Sequence, residues 1–371
     1  MVPLFRKTML SDELKDLSLW YSEPYDVRKN VQDYFKDNFE LHHFYTTKSC
    51  TQSLEIAFMS IVPDERDEVI LPSYAFVSLA NAIAINGFKC VFVDCQPNTM
   101  NIDPKAIEEA ITPRTKAVIT INYGGVSCEY ESILKICKKH DILLIEDNAH
   151  GIRAKYKGKW LGTFGDISTI SFDYLKNVSC NEGGGISINN HHLLDSFERV
   201  YHFGTNKGAF IRKETGFYEW KGIGTNAPLA EHLNVVLMTQ LLFSDKIVNK
   251  FIESWNKYYH HLSELKKQGI IELPSIPDDC LTNGHMFWIK TADAAERALL
   301  ISFLASKGIQ AAFHYTPLHS SEFGLKVGRL SGEDIHTTKE SNRLLRLPLY
   351  YSISDHEIEQ VANAIKSFYS F

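Results

Sequence analysis

Apolar residues recur every four positions at Val27, Val31, Phe35 and Phe39, a stripe that predicts an amphipathic helix. A second stripe, Leu54, Phe58 and Ile61, follows Ser49 and Gln52, which stand three apart as in a capping box, so a helix starts at Cys50. Its free amides and the Thr51 hydroxyl lie at the positive end of the helix dipole, where a phosphate can sit. Short apolar blocks then alternate with helical stripes. Glu68–Leu71, Cys90–Asp94, Lys116–Asn122 and Ile142–Ile145 read as strands. Between them, Phe76–Asn86 (closed by Gly87), a segment capped by Asp103 and opened by Pro104, and Glu129–His140 read as helices. Such alternation predicts an α/β fold, a largely parallel sheet with helices on both faces, whose ligands bind at the carboxyl ends of strands.

Beyond this alternation, Ile167–Phe172 and Ile186–Asn189 read as two more strands, and the turn between them carries Lys176 and ends in Gly183-Gly184-Gly185. Glycines there let backbone approach a ligand closely. The buried strand Ile142–Ile145 runs into Glu146 and Asp147. Most lysines are solvated and strand-end aspartates often cap helices, so neither residue speaks alone. Together with a phosphate cradle they point to pyridoxal phosphate, which a lysine holds covalently while an aspartate keeps its ring nitrogen protonated.

Further along, His191–Phe203 reads as a helix, and a long helical pattern runs from near Pro228 through Leu233, Leu237 and Leu241 to about Leu262. A domain boundary is expected inside it, giving a large domain over 1–245 and a smaller α+β domain over 246–371. The latter has strands at His285–Ile289 and Ile309–His314 and helices at Ala294–Lys307, Thr338–Arg346 and Asp355–Phe368. The first 25 or so residues lack periodicity and are expected to wrap the surface. A net charge of −6 argues against a general nucleic-acid or membrane-surface binder. Seven scattered cysteines, none in a Cys-x-x-Cys pair, favour reduced thiols over zinc or disulfides. With no secretory or membrane-spanning run, a cytoplasmic enzyme is expected.

Several stretches carry a family likeness: Ser49-Cys-Thr-Gln-Ser-Leu-Glu55, Pro72-Ser-Tyr-Ala-Phe-Val-Ser78, Ile145-Glu-Asp-Asn-Ala-His-Gly151, Ser171-Phe-x-x-x-Lys176, Glu182-Gly-Gly184, Gly204-Thr-Asn206, Glu272-Leu-Pro-Ser-Ile-Pro277, Phe313-His-Tyr-x-Pro-Leu-His319 and Arg343-Leu-Leu-Arg-Leu-Pro348. In this order the chain resembles the DegT/DnrJ/StrS nucleotide-sugar aminotransferases of pyridoxal-phosphate fold-type I, and within them the transaminases that form dTDP-4-amino-4,6-dideoxygalactose. The resemblance implies a large αβα sandwich domain plus a small C-terminal domain, and a homodimer with shared active sites. It implies that Lys176 carries the cofactor and shuttles the proton, that Asp147 pairs with the ring nitrogen, and that Phe76 and Ala149 lie against the ring faces. His150 would bond the phenolic oxygen. Cys50, Thr51, Gln52 and Ser171 would hold the phosphate, with Asn226 supplied by the neighbouring subunit. His314, Tyr315 and His319 would meet the nucleotide sugar; no metal is implied.

The sequence departs from the family at Asp173, Asn181 and Ala227-Pro228, and Trp20–Asp26 stands where a glycine-rich turn is usual near the substrate. The likeness favours a dTDP-4-keto-6-deoxyhexose aminated by glutamate, for O-antigen or another surface polysaccharide. Amination at carbon 3 and a UDP- or GDP-linked sugar stay open. The related sugar dehydratases carry histidine where this chain has Lys176, which counts against them, and a non-catalytic homologue would not need these residues together.

Overall fold

The computed structural model describes residues 1–7, 26–62 and 64–369. Helix α1 (Val27–Phe39) buries its four-residue stripe and is capped by Asp26, which accepts from the Lys29 amide. Strand β1 (Phe44–Thr47) leads into α2 (Cys50–Ile61), which begins at the expected residue. Then come β2 (Glu68–Pro72), α3 (Val77–Ile85), β3 (Lys89–Val93), α4 (Pro104–Ala110), β4 (Thr115–Ile121), α5 (Tyr130–His140) and β5 (Leu143–Asp147). A small hairpin, β6 (Lys155–Tyr156) and β7 (Lys159–Trp160), precedes β8 (Ile167–Ser171) and β9 (Gly184–Ile188). Helices α6 (Leu194–Tyr201), α7 (Lys207–Ile211), α8 (Glu231–Leu242) and α9 (Ser244–Lys267) follow. The remainder is β10 (Cys280–Leu281), β11 (Phe287–Lys290), α10 (Ala294–Ser306), β12 (Ala312–Phe313), α11 (Gly324–Val327), β13 (Gly328–Leu330), α12 (Thr337–Arg343), β14 (Leu344–Leu347) and α13 (Asp355–Tyr369).

Eight strands form the large sheet in the order β1-β9-β8-β5-β4-β2-β3-β13. All neighbours are parallel except β9, which runs against both β8 and β1. This is the fold-type I architecture. A second sheet, β11-β14-β12, is antiparallel. It shares an apolar core with α9, α10 and α13, and that core also takes in Val2. The N-terminus is therefore not loose at its start: Val2 exchanges backbone hydrogen bonds with Gly308 and Gln310. Of the Trp20–Asp26 stretch, all but Asp26 lies outside the described residues.

Three expectations are corrected. The pattern read as one helix from Pro228 to Leu262 is two, because Phe243 leaves the helical well at φ −104°, ψ 10°. There Tyr34 donates to the Leu241 carbonyl (2.7 Å), satisfying a helix-end acceptor that continuation would otherwise need. The helix expected over Thr338–Arg346 stops at Arg343, and Leu344–Leu347 is β14, the central strand of the small sheet. Leucine favours helices, but a strand flanked on both sides makes a short leucine run apolar for another reason. The turn holding Lys176 is a longer loop, residues 172–183. The glycines that follow it make room for the protein's own atoms: a Cβ on Gly184 would stand 2.4 Å from the Cys50 backbone nitrogen, and one on Gly185 would stand 2.2 Å from the Phe44 ring.

Candidate active site

The parallel strands end on one side of the sheet, and the turns there enclose a cavity of about 520 Å³. Asp147 enters it as the last residue of β5 and Ser171 as the last of β8. Cys50 and Thr51 enter from the first turn of α2. Within that turn Ser49 Oγ accepts from the Gln52 amide (3.1 Å) and the Ser49 carbonyl from Ser53 (3.1 Å). The amides of Cys50 and Thr51 are thus the ones left without an intrahelical partner. Gly184 lets β9 press against this turn and fix it. Gln52 is not in the cavity wall; its side chain accepts from the Lys48 amide (3.2 Å), a capping role.

Lys176 lies at the cavity wall. Burial pulls its ammonium below the ordinary lysine value, against the pull of Cys50, Asp147 and Asp173. Burial likewise lifts Asp147 to about 6, while the Ala149 amide (2.9 Å) and Lys176 hold it down. Asp147 therefore also makes the turn contact of an ordinary strand-end aspartate. Phe76, the residue before α3, is 53% exposed with its ring 6.0 Å from that of Tyr315. Ala149 shares the same wall.

Three histidines complete it, His150 and His285 buried and His314 half-buried. His150 Nδ1 accepts from the Gly124 amide (3.4 Å), so the proton of the neutral ring sits on Nε2. His285 stacks on it at 4.5 Å. The Asn177 carboxamide donates to the Asn283 carbonyl (3.0 Å), so its oxygen accepts from His285 Nδ1 (2.6 Å) and the lysine loop is tied to the segment before β11. His314 lies against Tyr123 and Arg346, with Tyr315 beside it. Burial holds all three imidazoles well below their usual range.

Besides Gln52, two expected residues lie elsewhere. His319 is outside the cavity wall, its Nδ1 2.6 Å from Ser73 Oγ and its Nε2 3.3 Å from Asp334. Asn226 is exposed, bridged to His202. The cavity in turn includes His285, Met286 and Arg346, none of which sequence reasoning picked out. Arg346 was hidden by the mistaken helix; an arginine inside a buried strand is itself the signal that would have found it.

A model of the DegT/DnrJ/EryC1/StrS aminotransferase family matches residues 14–366. The chain belongs to that family. This aminotransferase is 31% identical over 329 residues to an uncharacterized protein of Methanocaldococcus jannaschii, covering 87% of this chain and 84% of the other. It is 27% identical to the GDP-perosamine synthase of Escherichia coli O157:H7, covering 100% and 99%. Among solved structures, the aminotransferase TlmJ of Streptoalloteichus hindustanus superposes with a TM-score of 0.89 at 24% identity, covering 99% and 98%. The enzyme is thus a sugar aminotransferase whose cofactor is pyridoxal phosphate. The cavity fits that group in donor chemistry: an amine biased towards its neutral form, a carboxylate at the strand end, and unpartnered helix-start amides beside a serine hydroxyl.

Proposed function

We propose that this aminotransferase converts a dTDP-4-keto-6-deoxyhexose to the 4-amino-4,6-dideoxy sugar, with glutamate as donor. What carries the reading is Lys176 in one cavity with Asp147, His150 and the start of α2. Bound there, pyridoxal phosphate supplies the electron sink that amino transfer needs. Lys176 holds the cofactor and moves the proton to and from the substrate carbon; its lowered pKa favours the free base for that work. Asp147 keeps the ring nitrogen charged, and His150 donates from Nε2 to the phenolic oxygen. Cys50 and Thr51 amides and the Ser171 hydroxyl hold the phosphate, joined by the partner subunit's Asn226 in a homodimer. Phe76 and Ala149 bracket the ring, and His314 and Tyr315 meet the sugar. Gln52 and His319 act through the backbone they pin, Gln52 at the start of α2 and His319 at Ser73.

The dTDP-linked 4-keto sugar rests on the likeness of residues 272–319 to transaminases of that substrate. A GDP-linked 4-keto sugar is the second reading, favoured by the full-length match to a GDP-perosamine synthase. A surface-polysaccharide role is supported by a 28% identical Bacillus subtilis relative named for spore coat polysaccharide biosynthesis. Purified protein, given dTDP-, UDP- and GDP-linked keto sugars with glutamate, should aminate the dTDP-linked 4-keto sugar best by mass spectrometry. Borohydride should fix the cofactor on Lys176; label on any other lysine would remove the basis of the assignment.

A further inference from the structure

Arg346 projects from β14 and lines the cavity. Three residues earlier, Arg343 is neutralised by Glu272 (2.5 Å) and Glu340 (3.3 Å). Arg346 has no such partner: among the described residues no carboxylate lies within 4 Å of its guanidinium. Its Nε is sealed from solvent and has no acceptor among those residues. Burying a cation whose charge no carboxylate meets is costly, and an anion entering the cavity would offset that cost.

One edge of the guanidinium is held in place. Nη1 is 3.5 Å from His314 Nε2, and because a guanidinium only donates, Nε2 accepts. The His314 proton then sits on Nδ1 and faces the Tyr123 oxygen at 3.0 Å. The Tyr123 and Tyr74 hydroxyls are 3.1 Å apart, and Tyr74 reaches back to the His314 carbonyl. This closed circuit locks His314, which in turn orients Arg346 and leaves its remaining N–H groups for something else.

A guanidinium fork matches a carboxylate through two parallel hydrogen bonds. Every amino donor brings an α-carboxylate into this cavity, next to an amine that must reach Lys176, and Arg346 is near enough for its charge to depress the Lys176 pKa. We propose that Arg346, oriented by His314, anchors the α-carboxylate of the amino donor. The proposal rests on reading the cavity as the amino-transfer site.

The two half-reactions separate the donor from the sugar nucleotide. Holoenzyme, Arg346→Gln and Arg346→Lys are each titrated with L-glutamate alone, following the cofactor's visible absorbance, and with the unreactive dicarboxylate glutarate by calorimetry. A third arm runs the reverse half-reaction with the amino-sugar nucleotide. Arg346→Gln should weaken glutamate and glutarate about 10- to 100-fold, the scale of hydrogen bonds to a charged group. Arg346→Lys should lose less, and the nucleotide arm should stay within about twofold of wild type. A loss confined to the nucleotide arm would assign Arg346 to a phosphate and overturn the proposal, as would no change in any arm. If Arg346→Gln does not fold, Arg346→Lys carries the same comparison, since it keeps the charge and loses the fork. Should wild type consume glutamate but aminate no keto-sugar nucleotide, the acceptor proposed above fails while the glutamate arm still decides Arg346.

Discussion

Asp147 sits in an environment that opposes the charge its proposed role requires. With a folded value of about 6 and an unfolded one in the ordinary carboxylate range, it binds its proton more tightly in the folded apoprotein. Its ionisation therefore lowers stability, an effect absent near pH 4 and fully present above about pH 6 to 7. Asp147→Asn removes the effect. The apoprotein variant should melt above wild type at pH 8, by the equivalent of about 2–3 kcal/mol, with the gap closing as pH falls towards about 4. Pyridoxal phosphate should shrink or reverse that order, because a protonated ring gives the carboxylate its counter-charge. Turnover by Asp147→Asn should fall at least ~100-fold, the effect of losing about 2.7 kcal/mol of transition-state stabilisation. A variant within a few-fold of wild type, with no pH-dependent melting difference, would leave Asp147 only its contact with the Ala149 amide.

At the scale of elements, the proposed phosphate cradle depends on a contact between β9 and the first turn of α2, and Gly184 is where they meet. Gly184→Ala forces a Cβ against the Cys50 nitrogen, so the turn must shift. We expect a loss of about 1–3 kcal/mol or more in thermal unfolding, with cofactor retention weakened by gel filtration. Gly216→Ala, where an added Cβ meets nothing within 4 Å, is the control and should change neither. This glycine also shows what a sequence conceals. Period and caps located α1, α2 and the strands that carry Asp147 and Ser171, because those signals are local. The close approach of β9 to α2 is not local, and the glycine run read as room for a ligand. Likewise β1 is four residues long, and its strand partner is β9, far along the chain. The leucines of β14 looked helical until the flanking strands gave them another reason to be apolar, and that error hid Arg346 along with the strand.

At the scale of the molecule, we propose a division near residue 245 and a dimer that completes each active site. The exposed position of Asn226 in its own chain leaves it available to reach a partner's phosphate cradle. Asn226→Ala should weaken pyridoxal phosphate binding by about 1–3 kcal/mol, measured by cofactor titration, and dilution to monomer should do at least as much. A fully active, cofactor-loaded monomer would remove the shared site. The proposed division does not isolate the two parts. Strand β13, made from residues 328–330, closes the edge of the large sheet against β3, and Val2 is buried in the core of the C-terminal part. That edge pairing also sets a timetable during synthesis. β3 leaves the ribosome early, yet the segment that covers its outer edge is translated more than two hundred residues later. At roughly 5–20 residues per second, the apolar run Cys90–Val93 waits about 10–50 s with an open row of backbone donors and acceptors. The newborn chain is thus most exposed to sticking to its neighbours in the interval before Leu330 arrives, a hazard that the finished enzyme no longer displays.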